Sequence, residues 1–357
     1  MKKRTQWLGI LMAALMLVVA ACGSGNNNAG NAGSNANAPT NTNNEAAANN
    51  AAADNSAAAN AGETAAAGPI VIKTAKGDVT LDKPAERVVS LEWTYTEDLL
   101  AVGVQPVGHA DLKGYKAYVN IPVELSADVT DVGTRAEPNI EAIMALQPDL
   151  IIAASFRVAN NYDLLAAIAP VLVFNGYPEE GTVDQYTEME QTFTEIAKAV
   201  GKEGEVAGVL AKLDSAYAAA AEKLKAAGKD GTEIVLTQAW SANNVPEFRL
   251  FTDNSMAIQI LDRIGLKNAH KSDKFEVYGF SSTSVEGFTA SQHASVLHMV
   301  QDNDNVFENQ LKDNAVWKEL TFVKENRIYG LGGDTWPFGG PLGAEVFANK
   351  TADLLAQ

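Results

Sequence analysis

The chain has 357 residues, with 44 Asp and Glu against 27 Lys and Arg, so its formal net charge is −17 at pH 7. This acidic balance argues against nucleic-acid binding and offers nothing to attract an anionic membrane surface. The single cysteine excludes intrachain disulfides and cysteine-based zinc sites, so the folded part must be held by its core.

The first 21 residues have the pattern of a secretion signal. Three basic residues at positions 2–4 precede an apolar run at 8–21, which is too short to favour a membrane span. The residues VAAC at 19–22 resemble a bacterial lipobox, which implies cleavage before Cys22 and diacylglycerol on its thiol. An ordinary signal-peptidase site beside a cysteine is the alternative. We expect a lipid anchor on the extracytoplasmic face of the cell membrane.

Residues 22–68 contain the lipidation candidate Cys22 followed almost entirely by Asn, Ala, Gly, Ser and Thr. Such a composition cannot bury enough apolar surface to offset the entropy of ordering, so the sequence predicts a disordered tether. A random coil of this length spans about 35–40 Å. A long tether, a lipobox and no disulfides favour a Gram-positive cell surface over a periplasm.

Residues 69–202 alternate strand and helix patterns and predict a first lobe. A hairpin is expected at 70–73 and 78–81. Further strands are expected at 87–91, 104–108, 128–133, 150–154 and 171–174, and helices at 95–102, 139–146, 162–169 and 183–200. Strands that are continuous apolar runs between helices are typical of a mostly parallel sheet covered on both faces.

Residues 203–228 predict one long bridging helix. Its apolar side chains recur at helical spacing, namely Val206, Leu210, Leu213, Tyr217, Ala220 and Leu224. Gly228 lies where a C-cap glycine is expected, and the helix would be about 37 Å long.

Residues 229–357 repeat the alternation and predict a second lobe. Strands are expected at 233–238, 249–252, 295–301 and 327–331, and helices at 256–264, 315–320 and 341–355, with a short helical stretch from 284. The predicted fold is therefore α/β, with two lobes joined by one rigid helix.

Loops that follow strand ends carry an unusual set of aromatic and cationic side chains. In the first lobe these loops are residues 92–95, 109–118, 134–135 and 155–157; the second lobe contributes Trp240, residues 248–249, Tyr278 and residues 332–340. Ligand contacts in open α/β sheets gather at such loops, so the sequence predicts a binding site here.

Five phrases make the chain similar to a known family. They are KPAERVVSLEW, DVGTRAEPNIEAIMALQPDLIIA, FRLFTDNS, YGFSSTSVE and NRIYGLGGDTWPFGGP. In this order, and on either side of one long helix, they resemble the substrate-binding lipoproteins of bacterial ferric-siderophore ABC importers. These are relatives of the ferric-hydroxamate, iron-dicitrate and cobalamin binders. The resemblance implies two Rossmann-like lobes, a ligand held between them, limited lobe closure, a monomer and no enzymatic activity.

A ferric siderophore arrives with its iron already saturated, so the protein needs no metal ligand or cofactor of its own. Arginine suits the oxygen-rich face of such a chelate, and aromatic rings suit its apolar parts. The candidate cations are Arg135, Arg157 and Arg249, and the candidate walls are Trp93, Tyr95, Tyr118, Phe156, Trp240, Tyr278, Trp336 and Phe338. His109 and Tyr115 are further candidates for the cleft. Many rings and few cations favour a hydroxamate or citrate-hydroxamate over a triply anionic catecholate.

The resemblance also assigns a role to Glu141 and Glu286, which match the acid pair that docks onto arginines of the permease, one from each lobe. Charge pairs at a rim can steer and register a partner without tight affinity. Stabilisation of two helix N-termini by these acids is a further or alternative role.

Other classes of function are less consistent with the residues. Haem or cobalamin on the same fold stays open as the alternative ligand. A direct zinc or manganese binder would need clustered histidines and carboxylates, which the four histidines do not suggest. The common hydrolase motifs are absent, and a structural lipoprotein would not need ring-bearing loops on two facing lobes.

Overall fold

The structure is a computed structural model that describes residues 68–357. The predicted signal at 1–21, the lipidation candidate Cys22 and the tether up to residue 67 lie outside the described residues. Both halves of the fold belong to one compact unit.

The first half is built on a parallel sheet of five short strands. A separate antiparallel hairpin pairs β1 (Ile70–Ile72) with β2 (Val79–Leu81), as predicted. The sheet has the order β5-β4-β3-β6-β7, formed by β3 (Val88–Ser90), β4 (Gly108–His109), β5 (Thr130–Asp131), β6 (Leu150–Ala154) and β7 (Val171–Phe174). Its helices are α1 (Trp93–Ala101), α2 (Leu112–Tyr118), α3 (Ile140–Ala145), α4 (Ser155–Val158), α5 (Tyr162–Ala166) and α6 (Gln185–Ala199). Strands β3, β6 and β7 consist of buried residues only, as expected for a sheet covered on both faces.

The predicted long helix is present as α7 (Glu203–Ala226). Its one apolar stripe serves two cores. Val206 packs into the core of the first half, whereas Leu213, Tyr217 and Leu224 pack into a core of the second half. The helix ends in a Schellman motif, since the N–H of Lys229 donates to the Leu224 carbonyl and that of Gly228, at φ +68°, donates to Lys225.

The second half is built on a mixed sheet with the order β11-β9-β8-β12-β13, and β10 also pairs with β8. The strands are β8 (Glu233–Ala242), β9 (Val245–Phe251), β10 (Lys267–Asn268), β11 (Phe280–Thr283), β12 (Ser295–Met299) and β13 (Ile328–Gly330). The α-helices are α8 (Met256–Arg263), α9 (Ala315–Glu319), α10 (Thr321–Lys324) and α11 (Pro341–Leu355), and 3₁₀ turns cover Val285–Ser291, Asp302–Asp304 and Leu311–Asp313. The two-lobed α/β fold class is therefore confirmed.

Several local predictions are wrong in extent. The strand expected at 104–108 is only Gly108–His109, because Pro106 has no N–H for a ladder. Residues 112–118 were expected in a loop but form α2, whose first turn is capped by the Asp111 side chain. Residues 155–157 likewise open a helix instead of forming a loop.

The largest difference lies in the hairpin of β8 and β9. Trp240 was expected in a loop and Arg249 at the loop-bordering first position of a strand, yet both lie inside these strands, which pair antiparallel as far as Ala242 and Val245. The turn consists of Asn243 and Asn244 at φ 50° and 67°. Asparagine tolerates this left-handed conformation, which a tight hairpin turn requires at both central positions, so both strands extend further than their apolar runs suggest.

Candidate ligand-binding cleft

A cavity of about 340 Å³, here called the main cavity, is lined by residues of both halves. From the first half come Glu92, Tyr95, Asp98, Arg135, Phe156, Arg157 and Tyr177; helix α6 adds Gln185, Glu188, Met189 and Thr192; the second half adds Arg249, Met256, Tyr278, Phe280, Trp336 and Phe338. The candidate site is therefore shared between the two sheets.

A second cavity of about 420 Å³, here called the side cavity, adjoins the first. Arg135, Arg249 and Trp336 belong to the walls of both cavities. We refer to the two cavities together as the cleft.

The structure brings together all eleven side chains that the sequence suggested for ligand binding. Eight line the main cavity, namely Tyr95, Arg135, Phe156, Arg157, Arg249, Tyr278, Trp336 and Phe338. The other three, Trp93, Tyr118 and Trp240, line the side cavity. Their contact with a ligand stays a prediction.

His109 and Tyr115 do not reach the cleft, so that expectation is wrong. Both are buried, with ring centroids 4.8 Å apart, and neither lines the main or the side cavity. His109 Nδ1 lies 2.6 Å from the Thr96 hydroxyl. Burial, with the charge of Arg135, lowers the pKa of His109 to about 3, so the imidazole is a neutral core group.

Glu92 holds two of the candidate arginines, and the sequence analysis did not single it out. It precedes α1, and its side chain accepts a hydrogen bond from the N–H of Trp93. Its two carboxylate oxygens lie 2.6 Å from Arg135 Nη1 and 2.5 Å from Arg157 Nε. With only 8% of its side chain exposed, Glu92 fixes both guanidinium groups at the cavity wall.

The third arginine, Arg249, has neutral neighbours. Its Nη1 lies 3.4 Å from Gln238 Oε1, and its guanidinium lies 4.4 Å from the ring centre of Phe280 and 5.0 Å from that of Trp240. Within residues 68–357, no carboxylate comes within 4.0 Å of this guanidinium. Burial lowers the pKa of Arg249 from its usual range, which is far above neutrality, so the group remains a cation with uncompensated charge.

Aromatic rings connect the two halves around the cleft. Tyr177, which the sequence analysis missed, lies with its ring centre 5.0 Å from that of Phe156 and 5.0 Å from that of Tyr278. On the other side, the rings of Trp93 and Trp336 are 4.8 Å apart, and Arg135 stacks on Trp93 at 3.5 Å. The cations therefore face the cleft from between aromatic faces.

The loop that carries Trp336 and Phe338 is tied to helix α1 of the first half. The Thr94 hydroxyl donates to the Phe338 carbonyl at 2.5 Å, and the N–H of Gly343 donates to Glu97 Oε1 at 2.6 Å. Glu97 is fully buried beside the first turn of α11. These bonds position the two rings at the cavity wall.

The two docking candidates are exposed, one beside each sheet. Glu141 lies in the first turn of α3, after the N-cap Asn139, and Glu286 lies in the 3₁₀ turn after Ser284. The Ser284 hydroxyl donates to Glu286 and lowers the pKa of that carboxyl. Both geometries agree with either role suggested for these acids.

Within the described residues, no group of three or more His, Cys, Asp or Glu side chains is placed to hold a metal ion. A search of the same residues found no helix with the length and apolar character needed to cross a membrane.

A model of the periplasmic binding protein family matches residues 88–335. The Fe(3+)-citrate-binding protein YfmC of Bacillus subtilis is 33% identical over 74% of this chain and 79% of its own. The Fe(3+) dicitrate-binding periplasmic protein FecB of Escherichia coli is 30% identical over 79% and 89%, respectively. Among solved structures, the Fe3+–Desferal-bound siderophore-binding protein FhuD of Vibrio cholerae superimposes with a TM-score of 0.68 at 27% identity, covering 76% of this chain and 98% of that one.

The fold, the shared cleft and these relatives define a substrate-binding transport protein and not an enzyme. The chain belongs to the periplasmic binding protein family. The resemblance to the binding proteins of ferric-siderophore importers, inferred from five sequence phrases, is confirmed.

Proposed function

We propose that this protein captures a ferric siderophore in the cleft and delivers it to an ABC permease for iron uptake. The observation that carries the proposal is Arg249, a cation without a carboxylate partner in the described structure, enclosed by aromatic rings at the wall of both cavities. An oxygen-rich, partly apolar chelate satisfies both features, because arginine pairs with its oxygens and the rings cover its backbone.

The charge of the cleft favours a chelate with few negative charges. Around the arginines, Glu92 pairs with both Arg135 and Arg157 and Asp111 lies 3.8 Å from Arg135, so the three arginines and these two carboxylates leave one net positive charge. A hydroxamate or citrate-hydroxamate chelate fits this balance better than a triply anionic tris-catecholate. The relatives named for ferric citrate and Desferal support a ligand of this kind.

Haem or cobalamin is the competing ligand class on this fold. No histidine lines the main or the side cavity, so a histidine axial ligand would have to come from elsewhere. This lack favours a chelate whose iron is already saturated.

The test is a titration of the purified full chain with a panel of ligands. Binding is monitored by tryptophan fluorescence, because Trp93, Trp240 and Trp336 line the cleft. The panel consists of a ferric tris-hydroxamate, a citrate-hydroxamate, ferric citrate and a tris-catecholate, with haem, cobalamin and free zinc as controls. We expect saturable quenching by a ferric chelate at sub-micromolar concentration and none by zinc. Saturation by haem or cobalamin alone would replace the proposed ligand.

Delivery is proposed to depend on Glu141 and Glu286, one exposed acid on each half. Glu141→Arg combined with Glu286→Arg should abolish iron uptake by cells while chelate binding to the purified protein is unchanged. Uptake at the normal rate would reject docking through these acids.

The proposed place of action is the extracytoplasmic membrane surface, with a lipid on Cys22 as the anchor and the protein acting as a monomer. Cys22→Ala should release the protein from the membrane fraction into the medium. Retention of the variant in the membrane fraction would exclude this anchor.

A further inference from the structure

The buried part of the main cavity, here called its inner end, carries acidic side chains and not arginines. Asp98 and Glu188 both line the cavity there. Asp98 is 1% exposed, and neither of its carboxylate oxygens has a hydrogen-bond partner among the described residues. Glu188 Oε1 accepts a hydrogen bond from the Thr192 hydroxyl at 2.6 Å. Within residues 68–357, no Lys, Arg or His side chain pairs with either carboxyl.

Gln185, a polar residue of the same cavity wall, is not available as a hydrogen-bond donor to these acids. Gln185 donates from Nε2 to the Val277 carbonyl at 3.1 Å and accepts from the Met256 N–H at 3.1 Å. Its amide is therefore satisfied within the fold. Buried carboxyl oxygens without partners are rare in native proteins and call for an explanation, which a bound donor would supply.

The arginines and Asp98 are associated with different positions along helix α1. Glu92, which holds Arg135 and Arg157, precedes α1, and Asp98 lies six residues further along the same helix. At 1.5 Å per residue the two backbone positions are about 9 Å apart along the helix axis. The mouth of the cavity is marked by Phe156 and Tyr278, which are 43% and 48% exposed.

We propose that Asp98 and Glu188 form a subsite for a primary ammonium group on the chelate. The inference rests on the proposed function: the chelate's iron-binding oxygens face Arg135, Arg157 and Arg249, and its amine reaches the inner end. An ammonium carries three N–H donors and a positive charge, which suits two carboxyls without cationic partners. The preferred ligand is then an iron chelate with a free amine and not its neutral analogue.

The protonation of Asp98 and Glu188 should make ligand binding at this subsite depend on pH. Burial, with the charges of Glu97 and Glu188, raises the pKa of Asp98 well above its usual range, and burial raises that of Glu188 to about 7. The other titratable groups around them are Glu97 on α1, Glu92 immediately before α1, and Tyr95. A bound ammonium favours the ionised carboxyls, so binding should release protons near pH 7 and tighten as the pH rises.

The test compares chelates that differ only at the amine. Ferrioxamine B carries a free primary amine, and N-acetyl-ferrioxamine B has the same ferric tris-hydroxamate without it. A tris-catecholate pair, with a lysine amine free or acetylated, covers the other chelate class. The full chain should bind the free-amine member about tenfold more tightly at pH 8, the scale of a charge-assisted hydrogen bond. The preference should shrink at pH 6.

The matched variants are Asp98→Asn with Glu188→Gln, and Glu190→Gln as the control. Glu190 lies on the same helix but lines neither the main nor the side cavity. The double variant should lose the amine preference and keep its affinity for the acetylated chelate, whereas Glu190→Gln should keep the preference. Calorimetry of the unaltered protein in two buffers of different ionisation enthalpy should show proton release with the amine chelate only, and it needs no variant.

Three outcomes would reject the subsite and leave the proposed function standing. They are equal binding of both members of a pair, binding of amine-free chelates alone, and a preference for the amine that survives in the double variant. Failure of every ferric chelate to bind would reject the proposed function and the subsite with it.

Discussion

The two ends of the main cavity treat buried charge in opposite ways. At the arginine end, the carboxylate of Glu92 lies 2.6 Å from Arg135 and 2.5 Å from Arg157. At the acid end, Asp98 is equally buried but has no partner in the described part of the chain, and burial raises its pKa. Within one cavity, a buried group stays ionised where a counter-ion is in contact with it, and a buried acid a few residues away without a counter-ion favours its neutral form.

The largest expected effect comes from breaking the arginine end. Glu92→Gln leaves Arg157 without its carboxylate and Arg135 with only Asp111, 3.8 Å away, and removal of one partner of a buried ion pair costs about 3–5 kcal/mol. Urea unfolding measures the loss. The control is Glu345→Gln, whose partner Lys212 has a side chain 63% exposed and where a change below about 1 kcal/mol is expected. Equal losses in both variants would contradict the comparison.

Glu97, the buried acid next to Asp98 on helix α1, should be visible in the pH dependence of stability. Burial outweighs the hydrogen bond from the N–H of Gly343 and raises the pKa of Glu97 from 4.5 to about 7. Between these values the folded protein binds more protons than the unfolded chain, so stability falls as the pH rises, by about 3 kcal/mol for this group alone.

Glu97→Gln mimics the protonated acid and should flatten that fall between pH 4.5 and 7, as measured by urea unfolding at several pH values. The exposed Glu222, changed to Gln, is the control and should leave the slope unchanged. A slope as steep in the Glu97 variant as in the unaltered protein would show that this carboxyl does not titrate within the fold.

The smallest expected effect is on chelate affinity, and it distinguishes Arg249, which has no carboxylate partner in the described residues, from Arg157, which pairs with Glu92. Arg249→Gln should weaken chelate binding by about tenfold to a hundredfold, since a charge-assisted hydrogen bond contributes about 1.5–3 kcal/mol. Arg157→Gln should weaken it less, because Glu92 already offsets the charge of Arg157. Fluorescence titration with the best ligand of the panel measures both. Arg263→Gln, which lines neither cavity and stacks on Tyr186, is the control, and a larger loss for Arg157 than for Arg249 would reverse the comparison.

The sequence predicted those cleft residues that could be recognised by their type, aromatic or arginine, and by their position near the end of a strand. Rings and arginines near strand ends predicted the cleft, and all eleven candidates line at least one of its two cavities. His109 and Tyr115 followed the same rule and failed, because a strand end can also turn a side chain into the core. Tyr177 and Glu188 were missed, since a single Tyr in a loop or Glu in a polar helix carries no distinguishing pattern.

The sequence by itself determined the α/β class, the long helix Glu203–Ala226 and the family resemblance, because apolar periodicity, caps and ordered phrases are local properties of the chain. Only the tertiary structure decided how charge is distributed in the cleft. Glu92 is 43 residues from Arg135 and 65 from Arg157 in sequence, yet it contacts both. Asp98 has no such neighbour. Pairing and desolvation depend on what lies within a few ångströms in space, which separation along the chain does not reveal.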